Sequence, residues 1–291
     1  MIEPRVSTVA VDGGEMTIGE WGDPAAPPVL ATHGITASHL AWLRVAEALP
    51  DRRVIAPDLR GRGGSNGLPG PYGMATHAAD MVRLLEGLGI DRVQLVGHSM
   101  GAFIAAATAA RLGDRATGVV LVDGGIPFVL PPGVDLQDAI TASLGPVIAR
   151  LSMTFPDRAA YHDFWRRTPA LGPLVDDEAM RAYIDYDLVG DPLHSASAPD
   201  AVAQDSREFY GDEAGAALDA ITAPTAMLWV PRDLQDVEPG LYTAEAIATA
   251  DERWPAIRTR FVDGFNHYTI VMTPAGAAEV ARAVTGQTAR S

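Results

Sequence analysis

"LVGHSMGAF", residues 95–103, is the stretch on which the reading of this chain turns. A β-like run (Val93, Leu95, Val96) leads into it, and small apolar residues from Ala102 to Ala110 follow. Between them Ser99 sits in G-x-S-x-G: Gly97-His98-Ser99-Met100-Gly101. A chain that passes from strand to helix in so few residues bends sharply at the serine. The flanking glycines leave room where a side chain would clash. The bend lifts the hydroxyl above the sheet edge and aims a helix N-terminus at it, which favours developing negative charge. The pattern predicts a nucleophile at Ser99.

Outward from this turn, strand and helix alternate. Residues 6–11 and 15–21 flank Asp12-Gly13-Gly14, a hairpin signal. Residues 29–32 form a short apolar run ending at His33-Gly34, and 54–57 another that ends at Asp58 and a Gly- and Pro-rich loop. Residues 77–88 have helical spacing, with Ala78, Met81, Leu84 and Leu85 on one face. A strand at 93–96, a helix from about Met100 to Leu112 and the strand "GVVLVD" (118–123) follow. Such alternation predicts a parallel sheet with helices on both faces, and the continuous apolar "VVLV" predicts burial on both sides. It breaks off after Asp123, where residues 127–212 read as Pro-broken helical pieces rich in aromatics, and resumes at "APTAMLWV". The economical reading is one α/β core (1–126 and 213–291) with a helical cap (127–212) inserted in it.

A serine hydroxyl needs a base to take its proton. Of the seven histidines, His267 in "FVDGFNHYTI" lies in a turn after the last strand-like run, where the base for a nucleophile that follows a central strand is expected. His98, inside the turn, reads as a packed neighbour. Attack on a carbonyl creates an oxyanion that needs two fixed N–H donors. The backbone N–H of Met100, just after the nucleophile, is one candidate, and that of Ile35 in "ATHGIT" is the other.

Bulk properties close off other classes. A net charge of -15 disfavours a nucleic-acid partner, because phosphate binding needs a basic footprint. With no cysteine there is no disulfide, thiolate metal site or cysteine nucleophile. The first residues lack a basic patch followed by an apolar core, and no apolar run is long enough to span a bilayer, so a cytoplasmic chain without a membrane partner is expected. There is no H-E-x-x-H and no G-x-x-x-x-G-K, so no metal or phosphate cofactor is expected. "GRGGSNG", residues 61–67, reads as a surface loop bordering the site.

"HGIT", "DLRGRGGS", "GHSMG", "LVDGG" and "NHY", in this order, resemble the α/β-hydrolase superfamily over nearly the whole chain. The resemblance implies an eight-stranded, mostly parallel sheet with helices on both faces, a helical cap, a Ser-acid-His triad and no cofactor. Ser99 in place of an aspartate points to acyl transfer rather than alkyl-enzyme chemistry. Many relatives carry the acid after the strand that here ends near Val230, which offers Asp233 and, close by, Asp236. A smaller set, similar to zearalenone-type lactonases and haloalkane dehalogenases, carries it directly after the preceding strand, where Asp123 stands before Gly124-Gly125. Motif quality favours Asp123, with Asp233 and then Asp236 as alternatives.

Ligand sites are mostly apolar with few polar anchors. Candidate substrate contacts are therefore Phe128, Met153, Trp165, Tyr183 and Tyr186 in the insertion and Trp42 after the oxyanion loop. The expected activity is cleavage of an ester or lactone of a moderately apolar small molecule, with C–C bond hydrolysis of a diketone or a catalytically retired receptor as rivals. Oligomeric state is not legible.

Overall fold

In a computed structural model the chain is described over residues 2–130 and 132–288. The N-terminal hairpin is β1 (Arg5–Val11) and β2 (Gly14–Trp21), turning on Gly13 and Gly14, both with positive φ. There follow β3 (Pro28–Thr32), the short α1 (Leu43–Glu47), β4 (Arg53–Pro57), α2 (Met74–Gly87), β5 (Val93–His98), α3 (Met100–Leu112) and β6 (Ala116–Val122). Then come α4 (Leu136–Leu151), α5 (Arg158–Arg166), α6 (Glu178–Asp187), the two-residue strands β7 (Leu188–Val189) and β8 (His194–Ser195), α7 (Pro199–Asp205) and α8 (Asp212–Asp219). The chain closes with β9 (Thr225–Trp229), α9 (Ala244–Arg253), β10 (Ile257–Phe261), α10 (Thr269–Met272) and α11 (Pro274–Thr288).

Eight strands form one sheet in the order β1-β2-β4-β3-β5-β6-β9-β10. β2 runs antiparallel to both neighbours and every other pairing is parallel, so the sheet is mostly parallel as the alternation predicts. β5, at its centre, is buried at every residue, the consequence of helices on both faces. One face packs Leu30, Leu95 and Leu121 against α2 and α3, and the other packs Val29, Val96 and Val120 against α1 and α11.

α2 starts a turn earlier than the apolar spacing predicts. Its first N–H groups are capped from far away: Asp205 accepts from Gly73 N (2.6 Å) and Glu208 from Met74 N (2.6 Å). Partners 132 and 134 residues distant leave no local signal. The paired strands β7 and β8 escape sequence reading because two residues carry no period. All of α4–α8 lies between β6 and β9, neighbours in the sheet, so the segment is an insertion into a continuous α/β core. It has its own apolar cluster around Tyr161, Trp165, Leu171, Met180 and Ile184. Three of its helices, α4, α5 and α6, are capped by Asp135, Asp157 and Asp177, whose side chains accept from backbone N–H groups of the first turn.

The tightest approach in the core lies under the turn at Ser99. A Cβ added at Gly101 would fall 1.9 Å from the carbonyl oxygen of Thr32 at the end of β3. The first turn of α3 can therefore lie against β3 only without a side chain there. Gly101→Ala should lower stability to urea unfolding by about 3 kcal/mol, as overpacking against backbone does. Gly286→Ala, where nothing lies within 4 Å of the added carbon, should leave the urea midpoint unchanged or slightly raised.

Candidate active site

Ser99 occupies the turn between β5 and α3 with φ 56° and ψ -123°, a conformation that costs a non-glycine residue strain. The turn is held from both sides: Ser99 N–H donates to Val122 O (2.9 Å) and Ser99 O accepts from Ala102 N (2.9 Å). Gly124 permits the loop after β6 to press against it, since a Cβ there would lie 2.3 Å from Ser99 O. Across the site, a Cβ on Gly34 would sit 3.3 Å from Ser99 Cβ and 3.7 Å from Oγ. The loop after β3 thus faces the hydroxyl at contact distance.

His267 is 2% exposed, and its Nδ1 lies 2.6 Å from Asp123 Oδ2. Because the carboxylate accepts, Nδ1 carries the proton and Nε2 is left free to accept one. Asp123 is fully buried, and it too has positive φ (45°), which turns its side chain out of β6 toward the histidine loop. That loop is tied down through its backbone. His267 N–H donates to Arg232 O (3.0 Å), and His98 Nε2–H donates to the His267 carbonyl (2.7 Å). Burial, and next the positive charge that His267 could carry, push the His98 pKa well down, so it stays a neutral donor.

The two alternative acids are spent elsewhere. Asp233 Oδ1 closes its own loop by accepting from Gln235 N (2.8 Å) and Val237 N (2.9 Å). Asp236 accepts from Asn266 Nδ2 (3.0 Å) and pairs with Arg232 (3.3 Å). Asn266 in turn caps α10, its Oδ1 accepting from Tyr268 N and Thr269 N.

Among the described residues neither the N–H of Ile35 nor that of Met100 has a protein acceptor, and both residues line the cavity at Ser99. One guanidinium touches both. Arg62 Nε donates to Ile35 O (2.9 Å), Nη2 lies 3.8 Å from Met100 Sδ, and Nη1 donates to Arg60 O (2.9 Å) and pairs with Asp205 on α7 (2.6 Å). Arg62 is wholly buried, as is its neighbour Arg60, which pairs with Asp80 (2.8 Å). The loop at residues 61–67, expected at the surface, is so only in part: Gly64, Asn66 and Gly67 are exposed, while Arg62 and Ser65 are buried. The acidic partners that draw both arginines inward lie in other elements, so local composition gave no hint of them.

The loop after β3 has two further anchors. Asp58 accepts from His39 N (2.7 Å), His39 Nδ1 (2.9 Å), Gly64 N (2.7 Å) and Tyr186 OH (2.6 Å). Burial alone would raise its pKa, and His39 first among these donors lowers it overall. His33 donates from Nδ1 to Gly34 O (2.7 Å) and accepts at Nε2 from Leu59 N (3.0 Å). Burial lowers its pKa to about 4, so it is neutral.

A cavity of about 30 Å³ at Ser99 is walled by Ile35, Met100, Phe103, Phe128, Phe209 and Leu234, among others. Phe128, Ser143, Leu234 and Leu241 also line a groove of about 1250 Å³ between α4, α8 and α9, which places an open apolar volume beside the serine. Phe128, one of the expected substrate contacts, lines both of these volumes, and Trp165 lines a second small cavity described below. Other expected contacts fall elsewhere. Trp42 is 1% exposed and lies in the core beneath the sheet with Val29 and Val45, because the loop after β3 turns its apolar side inward there. Met153 is 39% exposed on the outer surface of the insertion, where the chain leaves α4. Tyr183 packs in the insertion's own core, and the Tyr186 hydroxyl is committed to Asp58.

Among the described residues no group of three or more histidine or acidic side chains could hold a metal ion, and no helix is long and apolar enough to cross a membrane.

Comparison with known proteins agrees with this architecture. A family model described as the alpha/beta hydrolase fold matches residues 27–189. Over 207 residues the chain is 33% identical to the 3-hydroxybutyrate-oligomer hydrolase of Cupriavidus necator, covering 65% of this chain and 68% of that one. It is 36% identical over 117 residues to the 2-hydroxy-6-oxo-2,4-heptadienoate hydrolase of Pseudomonas putida, covering 38% of this chain and 42% of that one. The crystal structure of E-2-(acetamidomethylene)succinate hydrolase superposes with a TM-score of 0.80 at 24% identity, over 97% of this chain and 99% of the other, a likeness of fold. The chain belongs to the alpha/beta hydrolase fold family.

Proposed function

We propose that the protein is a serine hydrolase that cleaves a carboxylic ester or lactone of a moderately apolar small molecule through an acyl-enzyme. The observation that carries this reading is the buried 2.6 Å pair between His267 Nδ1 and Asp123 Oδ2, beside a serine held in a strained strand-to-helix turn. In the proposed mechanism Ser99 Oγ attacks the carbonyl carbon and passes its proton to His267 Nε2. Asp123 keeps the imidazole in the Nδ1–H form and stabilises the imidazolium. The N–H groups of Ile35 and Met100 hold the oxyanion. Collapse of the tetrahedral intermediate releases the alcohol, which takes the proton from Nε2. Water, deprotonated by the same nitrogen, then cleaves the acyl-enzyme and restores Ser99. The insertion acts as the cap, and the apolar walls at Phe128, Phe209, Leu234 and Leu241 receive the less polar part of the substrate. The named activity of the Cupriavidus necator relative is compatible with ester chemistry on this scaffold.

The direct test is covalent. A fluorophosphonate probe should label the wild-type protein at Ser99 and leave Ser99→Ala unlabelled, and hydrolysis of 4-nitrophenyl butyrate should fall with the label. Equal labelling of the two proteins would end the assignment.

The acid is separable by amide substitution. Asp123→Asn should cost up to about 10⁴ in kcat, because an amide cannot stabilise the imidazolium and favours the wrong tautomer. Asp233→Asn and Asp236→Asn should stay within about tenfold of wild type, with melting curves reporting any loss of fold.

Arg62 is the positioning residue in this scheme, acting through Ile35 and Met100. Arg62→Lys keeps a cation for Asp205 but cannot reach the Ile35 carbonyl in the same geometry. It should lower kcat and the rate of phosphonylation by about tenfold while changing KM less, the signature of an interaction made in the transition state. Arg62→Met removes one partner of the buried Asp205, which keeps Gly73 N and His77 Nε2, and should in addition lose about 1–3 kcal/mol of stability.

A further inference from the structure

A second cavity, of about 80 Å³, adjoins the catalytic one across Leu234, whose side chain walls both. It flanks the reacting groups on two sides: Thr36 follows Ile35, and Tyr268 follows His267. Where the cavity at Ser99 is apolar, this one carries a buried cation. Arg150, on α4, is 3% exposed and also lines it.

The orientation of that guanidinium is informative. All of its protein hydrogen bonds leave from one nitrogen: Nη1 donates to Tyr161 OH (2.7 Å), to Ser195 Oγ (2.9 Å) and to Asp187 in a short contact. Nε and Nη2 have no hydrogen-bond partner among the described residues, yet neither is a sealed, unsatisfied atom, and Arg150 is one of the residues that line the cavity. These two nitrogens form the side-on edge of guanidinium, whose two N–H bonds match the two oxygens of a carboxylate. The plane is held in place: Arg150 Cζ stands 5.0 Å over the Trp165 ring, and Tyr161 and Ser195 also engage Asp187. Burial opposes the charge, but Asp187 outweighs it and keeps the arginine protonated. Burial also pushes the Tyr268 phenol up to about 12, so it stays protonated beside the cavity as a further donor.

We infer that the Arg150 edge is a subsite for a substrate carboxylate, so that the substrate class is an ester or lactone with an apolar part at the Phe128 wall and a free carboxylate on the other side of Leu234. The inference deepens the serine-hydrolase reading and rests on it for the scissile bond. Binding at Arg150 itself does not need turnover.

The test uses chain-matched pairs of esters: 4-nitrophenyl hexanoate, heptanoate and octanoate against the mono-4-nitrophenyl esters of adipate, pimelate and suberate. For at least one length the wild-type protein should favour the carboxylate-terminated ester in kcat/KM by about tenfold or more. Arg150→Met should cut that ratio by about 10- to 100-fold, the scale of a charge-assisted bidentate contact, and Arg150→Lys by less. Because Arg150→Met leaves the buried Asp187 carboxylate without its cation, the double variant Arg150→Met/Asp187→Leu is measured beside it, with melting curves for both; the ratio should collapse in both. A ratio near one at every length in wild type, or an equal ratio in wild type and variants, overturns the subsite. Calorimetric titration of Ser99→Ala with adipate separates the two readings. Adipate binding that requires Arg150, without turnover of any ester, keeps the subsite and removes the serine-hydrolase reading. Ester turnover without preference and without adipate binding does the reverse.

Discussion

The structure depends on a backbone strain that close packing enforces. Ser99 holds a φ/ψ pair that a serine would not adopt in a free loop, and it does so because three segments of the chain converge on it with no side chains between them. Gly97 and Gly101 let α3 fold back on β5 and against β3, and Gly124 lets the loop after β6 touch the serine's own carbonyl. Each of these contacts is shorter than any Cβ would tolerate. The strain is offset by the burial that such packing allows in β5 and α3, where nearly every residue is inaccessible. Positioning of the hydroxyl and stability of the core are therefore one property.

Around that turn, buried charge plays the organising part that apolar packing plays beneath the sheet. Arg60 with Asp80, Arg62 with Asp205 and Arg150 with Asp187 are each almost fully buried ion pairs in a chain whose surface is strongly acidic. Such pairs contribute little net stability against their desolvation cost, but removing one partner is expensive, so they specify geometry. The pair at Arg62 joins the insertion to the loop after β3, and the Asp58 cluster does so again through Tyr186. The seat of the insertion and the shape of the proposed oxyanion site are thus linked by hydrogen bonds that run through the same few residues. The groove and the two small cavities lie along this seam, where Leu234 stands between the apolar cavity at Ser99 and the one that Arg150 lines.

Much of the geometry of the candidate site was legible in the chain because it is written locally. G-x-S-x-G between an apolar run and a small-residue helix announces a tight turn from its own residues, and His267 stands out as the histidine in the turn after the last strand. Asp123 was less clear: its Gly-Gly turn suggested an exit toward the histidine, while Asp233 had a comparable claim from position alone. What separates them is which hydrogen bonds each makes. Asp233 turns inward on the N–H groups of its own loop, and Asp123 meets His267 across 144 residues of sequence. The aromatic candidates were the least legible, because an aromatic in a small helical insertion serves equally as core or wall. Trp42, Met153 and Tyr186 were drawn away by the sheet's lower core, the solvent and Asp58 respectively.

By itself the sequence determined the alternation of strand and helix, the place where that alternation is interrupted, the sharp turn at Ser99 and the absence of thiol chemistry. Those features depend on period, on glycine and on residue type, all of which act over a few neighbours. Only the tertiary structure decided that Asp123 pairs with His267, that Arg62 grips Ile35 and Met100, that carboxylates of the insertion cap α2, and that Arg150 lines a cavity with Thr36 and Tyr268. Each of these joins groups far apart in the chain, and a charge buried at one position is stable only if its partner arrives from another. Such complementarity has no period to be read. It exists only once the core has closed and water has been excluded from around the pair.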